Sequence, residues 1–224
     1  MSQSATQRYP TQLGTNWDRL AAEVGRAARP LDLLARSDQA AMTYAVAETD
    51  PIPGLFDLCE EIITQIPPHE VIYRPDTCLR DINGRVQPYL LRWHLRPKQT
   101  GRSEFALYLH RFLQPDESVL HDHPWPSASW LLFGEQSEVW KTDGGAAGPP
   151  SRHRLVPGNL VCRPATHAHC LGLPRDGSGA WVPVTTLFAT GRRIRDWGFW
   201  PEGRFVPEAE YQSRLSAIPR RDAA

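Results

Sequence analysis

The stretch "SVLHDHPWPSAS" (118–129) places His121 and His123 on either side of Asp122. In an extended chain alternate side chains share a face, about 7 Å apart, so the two imidazoles can converge while Asp122 turns away. Imidazole is a common ligand for divalent transition metals, and two rings on one strand face make part of a metal site. The order His-Asp-His does not offer the histidine–aspartate pair of a two-histidine, one-carboxylate iron centre. The same spacing also suits two strand histidines that only hydrogen-bond to neighbours. A third donor is needed before the pair implies a metal.

The elements that must position these rings fall into two parts. Before residue 71 the periodicity is helical. "WDRLAAEVGRAA" (17–28) sets Leu20, Ala21, Val24 and Ala28 on one stripe, and "LFDLCEEIITQI" (55–66) does so with Leu55, Leu58, Cys59, Ile62, Ile63 and Ile66. "LDLLARSDQAAMTYAVAE" (31–48) is expected to resume a helix, and Thr49 or Asp50 to cap the one that follows. From residue 71 onward short segments rich in Val, Leu, Thr and aromatics alternate with Gly, Pro, Asp and Asn, the pattern of a sandwich or small barrel. "DGGAAGPPS" (143–151) reads as a hairpin tip, "EAEYQSRLSA" (208–217) as a short surface helix and "RRDAA" (220–224) as a frayed end. The expected organisation is an N-terminal helical extension (1–70), a β domain (71–206) and a C-terminal helix and tail (207–224).

Bulk composition excludes several classes. Lys+Arg and Asp+Glu balance at 25 each in 224 residues, leaving no basic excess for phosphate neutralisation, so no nucleic acid partner is expected. No apolar run approaches the roughly 18 residues of a membrane span, so no membrane association is expected. The first residues lack a secretory signal, and Cys59, Cys78, Cys162 and Cys170 have no CxxC spacing. Free thiols in a cytoplasmic protein are the expectation.

"GNLVCRPATHAH" (158–169) carries a family resemblance. Gly158, Pro164 and His169 match the second motif of the cupin superfamily, with Thr166 where that motif has a second glycine. His121, His123 and Gly134 match the first motif, whose glutamate is replaced by Ser127 or Ala128. "YLHRFLQPDESVLHDHPW" with "WGFW" and "VPEAEY" further resembles small bacterial and phage cupin-domain proteins. The resemblance implies a mainly β, cupin-type double-stranded β-helix (jelly-roll) barrel with the helical extension in front. It also implies a divalent metal held by His121, His123 and His169, with Fe(II) favoured and Zn, Ni, Mn and Cu left open, and a homodimer formed through barrel edges. Three neutral imidazoles leave the ion its full +2 charge, which suits an anionic or thiol substrate.

Other residues could act on a bound small-molecule substrate. Tyr108, Arg92 and Arg111 lie on strands preceding the site, an arginine fork being a good carboxylate clamp. Glu138 is a candidate general base. His110 is a candidate polar group of the pocket wall, and His167 either a further ligand, closing a structural zinc site, or a rim residue. Trp125, Trp130 and Trp140 read as packing residues, His69, His94 and His153 as ordinary surface or packing residues, Cys162 as buried in a strand and Cys170 as turned away from His169. The function expected is a non-haem iron oxygenase or dioxygenase acting on a small polar molecule, a cupin isomerase or lyase being a further option. The rival is a non-catalytic small-molecule or metal-binding module. Metal binding through imidazoles is expected to weaken as pH falls through their titration range.

Overall fold

A computed structural model describes residues 6–8, 15–29, 31, 35, 43–46, 54–74, 86–96, 105–116, 118–141 and 149–217. Within these, the molecule is mainly β with antiparallel sheets. The larger has eight strands in the order β1 (Thr6–Arg8), β3 (Glu70–Ile72), β4 (Leu90–Arg96), β5 (Ala106–Phe112), β11 (Val184–Thr190), β6 (Ser127–Phe133), β9 (Asn159–Arg163) and β2 (Thr43–Val46). The smaller orders β10 (Ala168–Gly172), β7 (Gln136–Lys141) and β8 (Ser151–Leu155), and β12 (Gly198–Phe199) pairs β13 (Val206–Pro207). The chain passes between the two main sheets at β6–β7, β8–β9, β9–β10 and β10–β11, a jelly-roll arrangement.

Two glycines at these crossings are required by geometry. Gly134, between β6 and β7, has φ +81°, and a Cβ there would lie 2.6 Å from the Pro183 carbonyl oxygen. Gly158, before β9, has φ +90°. Both are left-handed conformations that favour glycine.

Strand alternation divides the large sheet into two faces. Trp93, Leu107, Leu109, Ala128, Trp130, Leu132 and Leu187 form one core with Leu20 and Val24 of the helix Thr15–Ala27 and with Leu55, Cys59 and Ile62 of the helix Leu55–Gln65. Trp93 Nε1 donates to the Ile66 carbonyl at 2.9 Å, fastening the end of the second helix to the sheet. The opposite face, turned toward the small sheet, carries Arg92, His110, Ser129, Arg163 and Thr186.

The extension is not helical throughout. Leu31 and Ala35 are helical, but Thr43–Val46 forms β2 and pairs with β9 from Thr43↔Cys162 to Val46↔Asn159. The β-branched and aromatic residues of "TYAV" complete an open sheet edge, and that pairing overrides the helical reading. Thr49, Asp50, the tip at 143–148 and the tail from 218 lie outside the described residues; the position before the second helix is Gly54, with φ +83°. The helix Glu208–Ala217 is present as expected.

Candidate metal centre

His121 docks onto the small sheet by a reciprocal backbone pair: its N–H donates to the His169 carbonyl at 2.9 Å, and the His169 N–H returns the bond at 2.8 Å. On its other side His121 bridges to Phe199. Asp122 points away from the imidazoles, as strand alternation requires. It is fully buried and accepts from the Gly198 N–H (2.9 Å), Arg195 Nη1 (2.6 Å) and Trp200 Nε1 (3.2 Å). Asp122 thus anchors the segment between two elements and leaves its flanking rings on the cavity side.

The ligand atoms of His121, His123 and His169 lie within 4.8 Å of one another. The Nε2 atoms of His123 and His169 are 3.1 Å apart. Two nitrogens held by one divalent ion at ~2.0–2.1 Å stand about 3 Å apart when they meet it near a right angle, so the spacing fits a shared ion. Ring orientation fits too. His169 Nδ1 lies 2.7 Å from Glu138 Oε1, which holds the ring proton on Nδ1 and turns the Nε2 lone pair toward the other two histidines. His123 is flanked by Trp125 and Trp197, both nearly parallel to it, with centroids 6.4 and 6.2 Å away.

Burial, with the neighbouring rings and Arg163, holds the His123 imidazole well below its ordinary range. Burial likewise lowers His169 to about 4, against the opposing pull of Glu138. Both rings therefore stay in the neutral, ligating form further into acid than the sequence alone implies.

Glu138 lies behind the trio. Burial opposes its charge, but the Arg163 guanidinium and contacts with His167 and His169 outweigh that and hold its carboxyl well below the usual range. Arg163 grips it through Nε–Oε1 (2.7 Å) and Nη2–Oε2 (2.9 Å), and Nη1 donates to Ser129 Oγ at 3.0 Å. His167 Nε2 stands 3.2 Å from the same Oε1, and its ring meets Trp140 at a tilt, with centroids 5.1 Å apart. Glu138, His167 and His169 also meet the spacing of a metal group, but there Oε1 faces nitrogen donors and the guanidinium already neutralises the carboxylate. His167 belongs to this buried cluster and not to the trio.

A cavity of about 410 Å³ opens beside the trio. His121, His123 and His169 line it, together with Arg92 and His110 from the large sheet. The candidate site residues divide accordingly. His110 is a wall residue, as expected. Tyr108 shares its face but is not among the lining residues; it lies under Arg92, whose guanidinium carbon is 5.0 Å from its ring centroid, and stacks on His110 at 5.5 Å. Arg111 alternates to the helix-facing side with Leu107 and Leu109 and does not meet the cavity. Glu138, with no exposed surface, is placed to orient His169 and not to face a molecule in the cavity.

Cys162 is buried in β9 as expected, and burial raises its thiol. Of the histidines read as surface or packing residues, His69 is buried and packs on Trp17, its Nδ1 accepts the His94 N–H at 3.1 Å, and His94 Nε2 stands 3.2 Å from Glu70 Oε2. Sequence reasoning also missed Arg163, Glu70, Trp197 and the hydrogen-bonded pair Tyr89–Asp116. The available signal for Arg163 was the alternation of "NLVCR", which sets residues 159, 161 and 163 on one face.

No known family model matches the sequence, and no curated protein does. Among solved structures, the chain is similar to the DMSP lyase DddQ from Ruegeria pomeroyi, at 18% identity over 84% of this chain and 98% of that one, with a TM-score of 0.48. It is also similar to a cupin superfamily protein from Desulfitobacterium hafniense (16% identity, 68% and 99% covered, TM-score 0.35). A third is a cupin 2 domain-containing protein from Halorhodospira halophila (19%, 65% and 94%, TM-score 0.36). The similar structures are cupin superfamily proteins. Likeness at this level concerns the fold and carries no activity across.

Proposed function

We propose that the chain is a metal-dependent enzyme acting on a small anionic molecule held in the cavity beside His121, His123 and His169. The observation carrying this reading is the convergence of the three imidazoles at a cavity of about 410 Å³, within the usual size for small-molecule sites. A divalent ion bound by three neutral histidines keeps its full charge and supplies Lewis acidity, and Fe(II) would add oxygen activation. The chain's own residues do the rest. Glu138 holds the His169 proton on Nδ1, and Arg163 keeps Glu138 anionic in its dry surroundings. Trp125 and Trp197 flank the His123 ring with apolar surface. Oxidation of a small carboxylate or thiol by a non-haem iron centre is the finer reading.

A specific observation favours a second reading, a lyase or isomerase. The Tyr89 hydroxyl donates to Asp116 Oδ1, and both residues line the cavity. Burial and the Asp116 charge push the tyrosine well above its ordinary range, so it keeps its proton, and the Tyr89–Asp116 pair offers polar, non-redox groups beside the trio that a lyase or isomerase could use. The test is anaerobic Fe(II) loading followed by small carboxylates and thiols, with and without oxygen. Oxygen uptake coupled to substrate loss is expected for the first reading. Turnover without oxygen would replace it by the second, and metal binding with no turnover in either condition would leave a binding module.

Among the described residues no helix is long and apolar enough to cross a membrane.

A further inference from the structure

Four polar side chains stand level across four adjacent strands of the large sheet. Glu70 pairs in register with Arg92, Arg92 with His110, and His110 with Thr186. Arg92 Nη1 lies 3.1 Å from Glu70 Oε2, and its Nε donates to His110 Nε2 at 2.9 Å. Two sides of the guanidinium are thereby fixed, while Nη2 makes no hydrogen bond among the described residues.

Four arginines line the cavity, Arg74, Arg92, Arg163 and Arg193, and the two that stand on this strand face, Arg92 and Arg163, differ in what remains available to a ligand. Arg163 has 3% of its side chain exposed and is engaged with Glu138 and Ser129. Arg92 retains 27% and lines the cavity. We infer that Arg92 binds a carboxylate of the substrate at the cavity wall, with Glu70 and His110 as positioning residues. This rests on the reading of the cavity as a substrate site beside a metal.

Chemistry selects the ligand class. A guanidinium with free, oriented donors matches a planar two-oxygen anion. Glu70 already places one negative charge 3.1 Å from Arg92, so a singly charged carboxylate is accommodated where a phosphate dianion would be repelled. His110 is held well below its ordinary range by burial and by the Arg92 guanidinium beside it, so it acts as a neutral acceptor that aims Arg92 and adds no second cation. The surroundings are apolar: His110 stacks on Phe188 at 5.0 Å and meets Phe112 edge-on at 5.9 Å, and both rings line the cavity. The ligand is therefore a monocarboxylate with an apolar body.

The test is titration calorimetry of the full chain, with Zn(II) as a redox-silent metal and again without metal, using benzoate, its uncharged match benzamide, and inorganic phosphate. Wild type should prefer benzoate to benzamide about tenfold or more without metal, since a charged hydrogen-bonded pair is lost with the amide. Arg92→Met should weaken benzoate about 10- to 100-fold, and Arg92→Lys by less, since it keeps the charge but loses the fork. His123→Ala should lose Zn(II) and keep the preference for benzoate. Equal binding of benzoate and benzamide by metal-free wild type, a measurement needing no variant, would overturn the subsite. So would phosphate binding more tightly than benzoate, or benzoate affinity unchanged in a folded Arg92→Met. Benzoate preference in a wild type that binds no Zn(II) would support the subsite and remove the metal reading alone.

Discussion

On β5, Leu107 and Leu109 turn toward the helices, whereas Tyr108, His110 and Phe112, at the alternate positions, turn into the space between the sheets. The same division runs along β4, where Trp93 is core and Arg92 is cavity wall. The helix-facing side is held by burial of apolar area, which depends on volume and tolerates similar replacements. The interior side is held by named partners: Glu138 by Arg163, Arg92 by Glu70 and His110. A buried charge deprived of its partner has nothing to replace it. One face is therefore expected to degrade gradually under mutation, and the other to fail at particular pairs.

The largest effect is expected from breaking the deepest pair. Glu138→Ala strands Arg163, 3% exposed, without its counter-charge; urea unfolding should reveal a loss of about 3–5 kcal/mol. A loss below about 1 kcal/mol would mean that Arg163 is satisfied otherwise, and the contrast between the faces would weaken. On the other face, Leu109→Ala opens a cavity at a fully buried site and should cost about 2–5 kcal/mol. Metal content per folded molecule should be unchanged, since Leu109 faces away from the histidines.

Acid should separate the faces more gently. His69 is lowered to about 4, chiefly by burial and secondly by His94, so the folded state disfavours its protonation. Its contribution is intact above about pH 6.5, and is lost as pH falls from there toward 4. Glu70 is lowered to about 2 by its contact with His94, against burial, and by Arg92, so its contribution fades between about pH 4.5 and 2. Unfolding midpoints should fall in both windows, and His69→Gln should make the upper one shallower, with His110, His123 and His169 supplying the rest of it. An unchanged upper window in that variant would assign the acid sensitivity to other groups. The smallest effect is expected from Arg154→Ala, whose pair with Glu135 is solvent-exposed; its midpoint should match wild type, and a clear drop would mean that the surface pair contributes more than such pairs usually do.

Much of the site was legible from local spacing. The alternation in "HDH" placed Asp122 opposite the two rings, and Gly134 and Gly158 occupy backbone conformations that explain their presence in the motifs. The apolar stripe of 55–66 anticipated the second helix. The period along "ALYLHRF" already separates Arg111 from His110. What local spacing does not contain is register between distant strands. That Glu138 lies behind His169, or Glu70 beside Arg92, depends on β7 meeting β10 and β3 meeting β4 in one alignment. The same applies to Thr43–Val46, whose β-forming residues become a strand only where they meet the edge of β9.

The central claim is that His121, His123 and His169 hold one divalent ion, and elemental analysis of purified wild type beside His123→Ala tests it most directly. The wild type should carry a stoichiometric metal complement and the variant none, with the thermal unfolding of the variant still cooperative. A full metal complement in folded His123→Ala would contradict it.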